Sequence, residues 1–391
     1  MKKTCRAGLL LLTIVSLLGS TVVSAQPPKR EVIAYVFVKD RLIVPEEIKA
    51  QLLTRVNYAF ANIEDGKIVA GFAHDRENFQ VLRSLKGANP NLEIVVSVGG
   101  WTWSNGFSDM ALTASSRKKF IDSVVEFVRG NHLDGLDIDW EYPGLIGNGN
   151  IFRPEDKQNF TSLLKELRHR FDQEEKKLGH HLVTSIAAGA SVEFIANTEM
   201  SEVQRYVDSV NLMSYDYYVQ DVDAIAGHHA PLYTNPSDPK HVSADASVKI
   251  FEAAGVPSHK IVLGLPFYGR AWTDVNALNH GLYQPGKKAS VSTTYRDIAQ
   301  LLLKAGYIRY WDNAASASYL YNEKTKTFIS YDDEESVKLK CEYVRNHNLG
   351  GIMFWDYSGD TDDHALLKTL HAGLTVTKST NQGAHSASES R

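Results

Sequence analysis

Cysteine is nearly absent from this sequence: its 391 residues include only Cys5 and Cys341. Cys5 lies in a leader that reads as removable, so the mature chain keeps one thiol and no internal disulfide can form. A chain of this length is held by its core instead of by staples, and Cys341 reads as a small buried apolar residue. Long apolar runs are missing too. The longest, residues 8–18, is too short to span a bilayer, which argues against a membrane anchor. There is no basic surplus: taking Lys2, Lys3 and Arg6 away with the leader turns 42 basic residues into 39, against 46 acidic ones, a net charge of −7. A mildly acidic chain is a poor match for nucleic acid or an anionic membrane. The Gly-Lys loop of phosphoryl transfer is absent. The 14 histidines are scattered, with His180-His181 and His228-His229 in expected loops, and none has ligand spacing, so no metal site and no cofactor are expected.

What is present begins with residues 1–25. Lys2, Lys3 and Arg6 make a basic start, residues 8–18 an apolar centre, and Val23-Ser24-Ala25 a small-residue cleavage site, so the protein is expected to be exported, secreted or periplasmic. Residues 32–38, 55–61, 93–98, 182–188, 207–215, 261–266 and 350–355 then read as strands apolar at nearly every position, the mark of parallel sheets buried on both faces. Helical patterns fall between them, near 45–53, 75–85, 117–129, 244–254, 334–347 and 363–374. The 117–129 stretch has Thr113 as a cap and Phe120, Ile121, Val124, Val125 and Val128 at helical spacing. Another, opened by Pro154, carries Phe160, Leu163, Leu164, Leu167 and Phe171 on one stripe. With the stretch at 134–141 as the fourth strand, the order predicts an α/β fold, a (β/α)8 TIM barrel spanning 26–375. The interval after strand seven is too long for one helix. Its aromatic, turn-broken segments predict a small α+β insertion over 273–332. Residues 376–391, polar and small, predict a disordered tail.

The fourth strand is the unusual one. Asp134, Asp137, Asp139 and Glu141 are interleaved with Leu136, Ile138 and Trp140. Residues two apart share a face, so Asp137, Asp139 and Glu141 form one acidic row and the apolar residues another. Like charges so close raise at least one pKa, a cost a fold keeps mainly where chemistry uses it. A calcium loop would place Gly and polar spacers between its ligands, not Ile and Trp. In such barrels chemistry gathers at the C-terminal strand ends. Tyr35, Phe60, Trp101, Met213, Tyr215, Asp216, Tyr268, Arg270 and Trp355 all sit at or just past such ends. Aromatic platforms around carboxylates suit a sugar chain, whose rings stack by their apolar C–H faces.

These residues resemble a known family. Asp134 to Glu141 is similar to the Asp-Gly-x-Asp-x-Asp-x-Glu signature of the family 18 glycoside hydrolases, the chitinases. Ser97-Val-Gly-Gly100, Met213-Ser-Tyr215-Asp216, Gly264-Leu-Pro-Phe-Tyr-Gly-Arg270, Ser330-Tyr-Asp-Asp333 and Gly351 to Asp356 resemble its further motifs in order. The resemblance runs from about Val32 to Leu374 and implies an enzyme that hydrolyses β-1,4-linked N-acetylglucosamine in chitin, acting as a monomer. It implies Glu141 as general acid, Asp139 as the residue orienting the substrate's acetamide, Asp137 sharing a proton with Asp139, and Tyr215 bonding the acetamide. Tyr35, Phe60, Gly100, Trp101, Tyr142, Met213, Asp216, Tyr268 and Arg270 would contact sugar, with Trp355 as floor. The family is retaining without a protein nucleophile, the sugar's own N-acetyl oxygen attacking the anomeric carbon. Two other readings stay open: an endo-β-N-acetylglucosaminidase or peptidoglycan hydrolase on the same fold, and a lectin, which the presence of Glu141 disfavours.

Overall fold

The computed structural model describes residues 30–291, 293–304 and 306–375; the leader (1–25) with Cys5 and the tail (376–391) lie outside the described residues. Eight strands carry the architecture: β1 (Glu31–Phe37), β2 (Arg55–Glu64), β3 (Glu93–Gly99), β4 (Gly135–Asp139), β5 (Val183–Gly189), β6 (Ser209–Met213), β7 (Ile261–Pro266) and β8 (Gly351–Trp355). Each pairs in parallel with the next, and β8 pairs with β1, so the sheet closes on itself. With helices outside, this is a (β/α)8 barrel.

The period-two reading of β4 holds. Leu136, Ile138 and Trp140 belong to the large core between strands and helices. Trp140 is fully buried, its ring stacked on Phe107 at 5.1 Å and edge-on to Phe160 at 5.9 Å. Truncating it would cost about 3–5 kcal/mol. The opposite face of the same strand carries Asp137 and Asp139 into the barrel. The capped helix is also where its spacing predicts it: Thr113 Oγ1 accepts from the Ser116 amide, and the helix runs Ala114–Asn131 with Phe120, Ile121, Val124, Val125 and Val128 buried. The Pro154-opened pattern is the helix Asp156–Leu178.

Three features differ from the sequence reading. No α-helix forms over 45–53; the chain makes two short 3-10 turns, Pro45–Glu47 and Ala50–Leu52. Ile48 and Leu53 take extended backbone and turn into the core, while the Tyr357 hydroxyl donates to the Glu47 carbonyl and accepts from the Lys49 amide, both at 2.8 Å. Tertiary contacts here override a short local pattern. Second, β2 runs on into a hairpin with Lys67–Val69. Third, the segment between β6 and the helix Ala244–Ala253 folds onto a second sheet.

That sheet is antiparallel and five-stranded, ordered Lys287–Lys288, Arg270–Thr273, Thr327–Tyr331, Ala317–Asn322 and Ile308–Asp312, with the helix Tyr295–Leu302 beside it. Its core joins Trp272, Val275, Leu282, Tyr319, Tyr321 and Phe328 to Tyr218 and Ala226 of the post-β6 segment. Trp272 Nε1 donates to the Asp223 carbonyl at 2.9 Å. Asp332 and Lys340, both buried, pair at 2.5 Å, and Asp333 caps the helix Glu334–Asn346. Cys341 is a free, buried thiol, pushed up to about 12 by burial. Among the described residues, no helix is long and apolar enough to cross a membrane.

Candidate active site

The site is built around Asp137. In the barrel register it sits level with Ser97 on β3 and Ser185 on β5. Ser97 Oγ donates to Asp137 Oδ2 at 2.7 Å and Ser185 Oγ to Oδ1 at 2.6 Å. Tyr35 Oη adds a bond to Oδ2 at 2.9 Å, and Asn211 Nδ2 one to Oδ1 at 3.2 Å. Burial raises the Asp137 pKa and these donors oppose it. Two residues on, Asp139 has no such shell: its Oδ1 is buried with no hydrogen-bond partner. Burial first, then repulsion from Glu141 and Asp137, hold its carboxyl well above the usual range.

Glu141 follows the strand end. Its amide donates to Ser104 Oγ and its carbonyl accepts from Asn150 Nδ2, both at 2.9 Å, so the backbone beneath the carboxyl is fixed. Burial lifts this carboxyl to about 7; the Tyr142 hydroxyl pulls it down and Asp216 pushes it up. A carboxyl so poised can hold a proton near neutrality and release it, as a general acid must.

Close approach of the strands depends on two glycines. Gly99 has φ 106° and faces the Asp139 carbonyl; a Cβ there would lie 2.3 Å from that oxygen. Gly100 has φ 78°, donates its amide to the same carbonyl at 2.8 Å, and would bring a Cβ within 2.6 Å of the Phe60 ring.

Above the carboxylates the predicted aromatic residues converge. Trp355, at the end of β8, stacks on Phe60 at 5.4 Å and meets Phe37 at 5.5 Å and Tyr35 at 6.0 Å. Met213 and Tyr215 pack on the same cluster. Burial holds the Tyr215 hydroxyl protonated, with its ring edge-on to Tyr268 at 6.2 Å. Asp216 takes φ 59° and receives Arg270 through two bonds, Nε to Oδ1 at 2.7 Å and Nη2 to Oδ2 at 2.5 Å. The Arg270 guanidinium in turn lies 5.1 Å over the Tyr268 ring. Tyr35 lies beneath the site, its hydroxyl engaged by Asp137. Tyr142 sets its ring edge-on to Phe194 at 6.3 Å and its hydroxyl against the Glu141 carboxyl. Trp101 stands apart, 50% exposed and outside the cluster. Asp134, first of the four acidic residues, belongs to the other end of the strand: it pairs with Lys86 at 2.7 Å and accepts from the Ile94 amide.

Of the donors around Asp137, the sequence pointed to Tyr35, as a sugar contact, and to Ser97, within a motif, but not to Ser185 or Asn211. Ser185 and Asn211 are polar residues at inward positions of otherwise apolar strands, and that anomaly was the available signal. Ser104, His229 and Phe37 carried none. The described chain has cis peptide bonds at Ala59–Phe60, Glu141–Tyr142 and Trp355–Asp356, each at a residue of this site.

The sequence profile of Glycosyl hydrolases family 18 matches residues 31–360. The chain belongs to that family. Chitinase A1 of Niallia circulans is 43% identical over 336 residues, 80% of this chain and 48% of that protein, so the chain spans about half of that relative's length. Chitinase 1 of Aphanocladium album is 33% identical over 362 residues, 86% of this chain and 82% of that one. Among solved structures, a family 18 N-acetylglucosaminidase from Paenibacillus barengoltzii superposes with a TM-score of 0.79 at 42% identity, covering 88% of this chain and all of that one.

Proposed function

We propose that this family 18 hydrolase cleaves β-1,4-linked N-acetylglucosamine chains, with Glu141 as the general acid and the substrate's own acetamide as the nucleophile. The observation that carries the reading is the contrast along one strand. Asp137 is wrapped in donors, Asp139 has a buried oxygen free for a partner, and Glu141 is poised near neutrality. Asp139 would accept the acetamide N–H through its partnerless buried oxygen, and Tyr215 would donate to the acetamide oxygen. The oxygen then closes on the anomeric carbon as Glu141 protonates the departing glycosidic oxygen. The C–O bond to the leaving sugar breaks, a C–O bond to the acetamide forms, and water later opens the ring. No protein nucleophile is required. Trp355, stacked over Phe60, supplies the apolar floor for the distorted sugar, and Asp216, Tyr268 and Arg270 the polar wall. The basic and apolar leader supports export, and chitin or its oligomers as the partner.

The 42% identity to an N-acetylglucosaminidase favours a second reading, removal of single sugars from chain ends. One product profile separates them. Chitin hexamer should give dimers and trimers early if the chain binds across the cleft; monomer as the first and dominant product would assign end-wise release. No cleavage of any N-acetylglucosamine oligomer would overturn both.

A further inference from the structure

Behind Asp216 lies a histidine that neither the acidic row nor the aromatic cluster uses. His229 is 0% exposed, and neither ring nitrogen has a hydrogen-bond partner within normal geometry. Its Nδ1 faces Asp216 Oδ1 at 3.5 Å, and its ring lies 5.4 Å from that of Tyr268. The backbone that carries it is pinned at two points. The His229 amide donates to Ser330 Oγ at 2.9 Å, and its carbonyl accepts from the Tyr217 amide at 3.0 Å. The post-β6 segment and the second sheet thus deliver one imidazole to the rear of one carboxylate.

We propose that His229 is a positioning residue: its neutral ring backs the Asp216 carboxylate through Nδ1–H, holding Asp216 ionised and aimed toward Glu141. This rests on the reading of Glu141 as the general acid. Arg270 grips Asp216 by both oxygens, from a long side chain that is itself partly exposed. A buried imidazole, short and pinned through its backbone, adds a second neighbour to Asp216 Oδ1. The groups facing the ring are Asp216, Arg270 of the Arg270–Thr273 strand, Tyr268 before it, and Asp332 after the Thr327–Tyr331 strand, itself paired with Lys340. Burial is the largest influence and Arg270 adds to it, disfavouring the imidazolium, while Asp216 and Asp332 favour it; the ring stays below its ordinary pKa. Neutrality matters here. A neutral donor orients Asp216 without cancelling its charge, and that charge is one of the influences that raise Glu141.

The test is the pH dependence of kcat/KM on a fluorogenic chitobioside for wild type, His229→Leu and His229→Asn, each also in an Asp216→Asn background. His229→Leu should move the alkaline limb to lower pH by about half a unit or more, because Asp216 repels Glu141 less when it is loosely held. His229→Asn, which keeps a donor, should restore most of the limb. In the Asp216→Asn background His229→Leu should move nothing. A limb that stays in place, or an equal shift in both backgrounds, would reduce His229 to a space-filling residue. Nitrogen-15 NMR of histidine-labelled wild type gives a readout independent of folding variants and of turnover. The Nδ1–H tautomer, in a ring that titrates below its ordinary range, is expected; an Nε2–H tautomer would overturn the proposal. Wild type that cleaves no chitobioside would refute the functional reading instead, and leave the tautomer result standing.

Discussion

Asp137 and Asp139 stand two residues apart on one face of β4 and live in opposite surroundings. Asp137 accepts from Ser97, Ser185, Tyr35 and Asn211, and none of its hydrogen bonds is to Asp139. Asp139 Oδ1 is buried with no partner, and both acidic neighbours repel it. Of the two aspartates, Asp139 is the costlier to ionise, because nothing compensates its charge.

Asp139→Asn should consequently separate binding from turnover. Asn is isosteric and cannot titrate, so oligomer affinity should change by less than about tenfold. Turnover should fall by roughly 10² or more, since the positive charge that develops on the acetamide loses the carboxylate beside it. Parallel losses in kcat and in oligomer affinity would argue that Asp139 only shapes the pocket.

Glu141 yields a prediction whose sign can be checked twice. As an acid it must be protonated, so activity should decline as pH rises through about 7. Its pKa in the fold lies above the ordinary 4.5, so the folded state keeps a proton that the unfolded chain releases. Its contribution to stability is present below the unfolded value and is lost as pH rises from about 4.5 to 7. Glu141→Gln should lower turnover by roughly 10²–10⁴. Its melting temperature relative to wild type should rise between pH 4.5 and 7.5. A flat difference across that range would place the raised pKa elsewhere.

Much of this was legible in the chain. Eight apolar strands and the alternation at 134–141 sufficed for the barrel, because a period of two leaves only one way to put Trp140 in the core and Asp139 in the mouth. Asp216, Tyr268, Arg270 and Trp355 were found through their places at strand ends. Half of the shell around Asp137 was not, since Ser185 and Asn211 act through neighbours in space and look like ordinary strand residues one at a time. The post-β6 segment was illegible for a similar reason: Tyr218 and Ala226 complete a core whose other half lies some fifty to a hundred residues later. The acidic motif Ser330 to Asp333 resembles a functional one, yet here Asp332 pairs with Lys340 and Asp333 caps a helix.

That pair invites a stability test. Lys340 Nζ reaches Asp332 Oδ2 at 2.5 Å and the Ala230 carbonyl at 2.8 Å, with both side chains buried. Lys340→Met should destabilise by about 3–5 kcal/mol, because it strands a buried carboxylate. Lys340→Met with Asp332→Leu should recover part of that loss. Chemical denaturation of wild type and the two variants measures both. A single variant as stable as wild type would mean that water reaches Asp332.

The stereochemistry of the product tests the mechanism most directly. If the acetamide oxygen attacks from beneath and water later opens the ring from above, two inversions leave the new reducing end in the β configuration. Three observations support the proposal: the Tyr215 hydroxyl is held protonated, Asp139 Oδ1 is buried without a partner, and Trp355 stacks on Phe60. A thiazoline analogue of the ring intermediate should inhibit. A substrate with a free amine in place of the acetamide at the scissile sugar should bind and fail to turn over, for want of a nucleophile. Proton NMR recorded during the first minutes of hydrolysis, before mutarotation equalises the anomers, should find β. Prompt α product would mean that water attacks directly, and the substrate-assisted assignment of Asp139 and Tyr215 would fall with it.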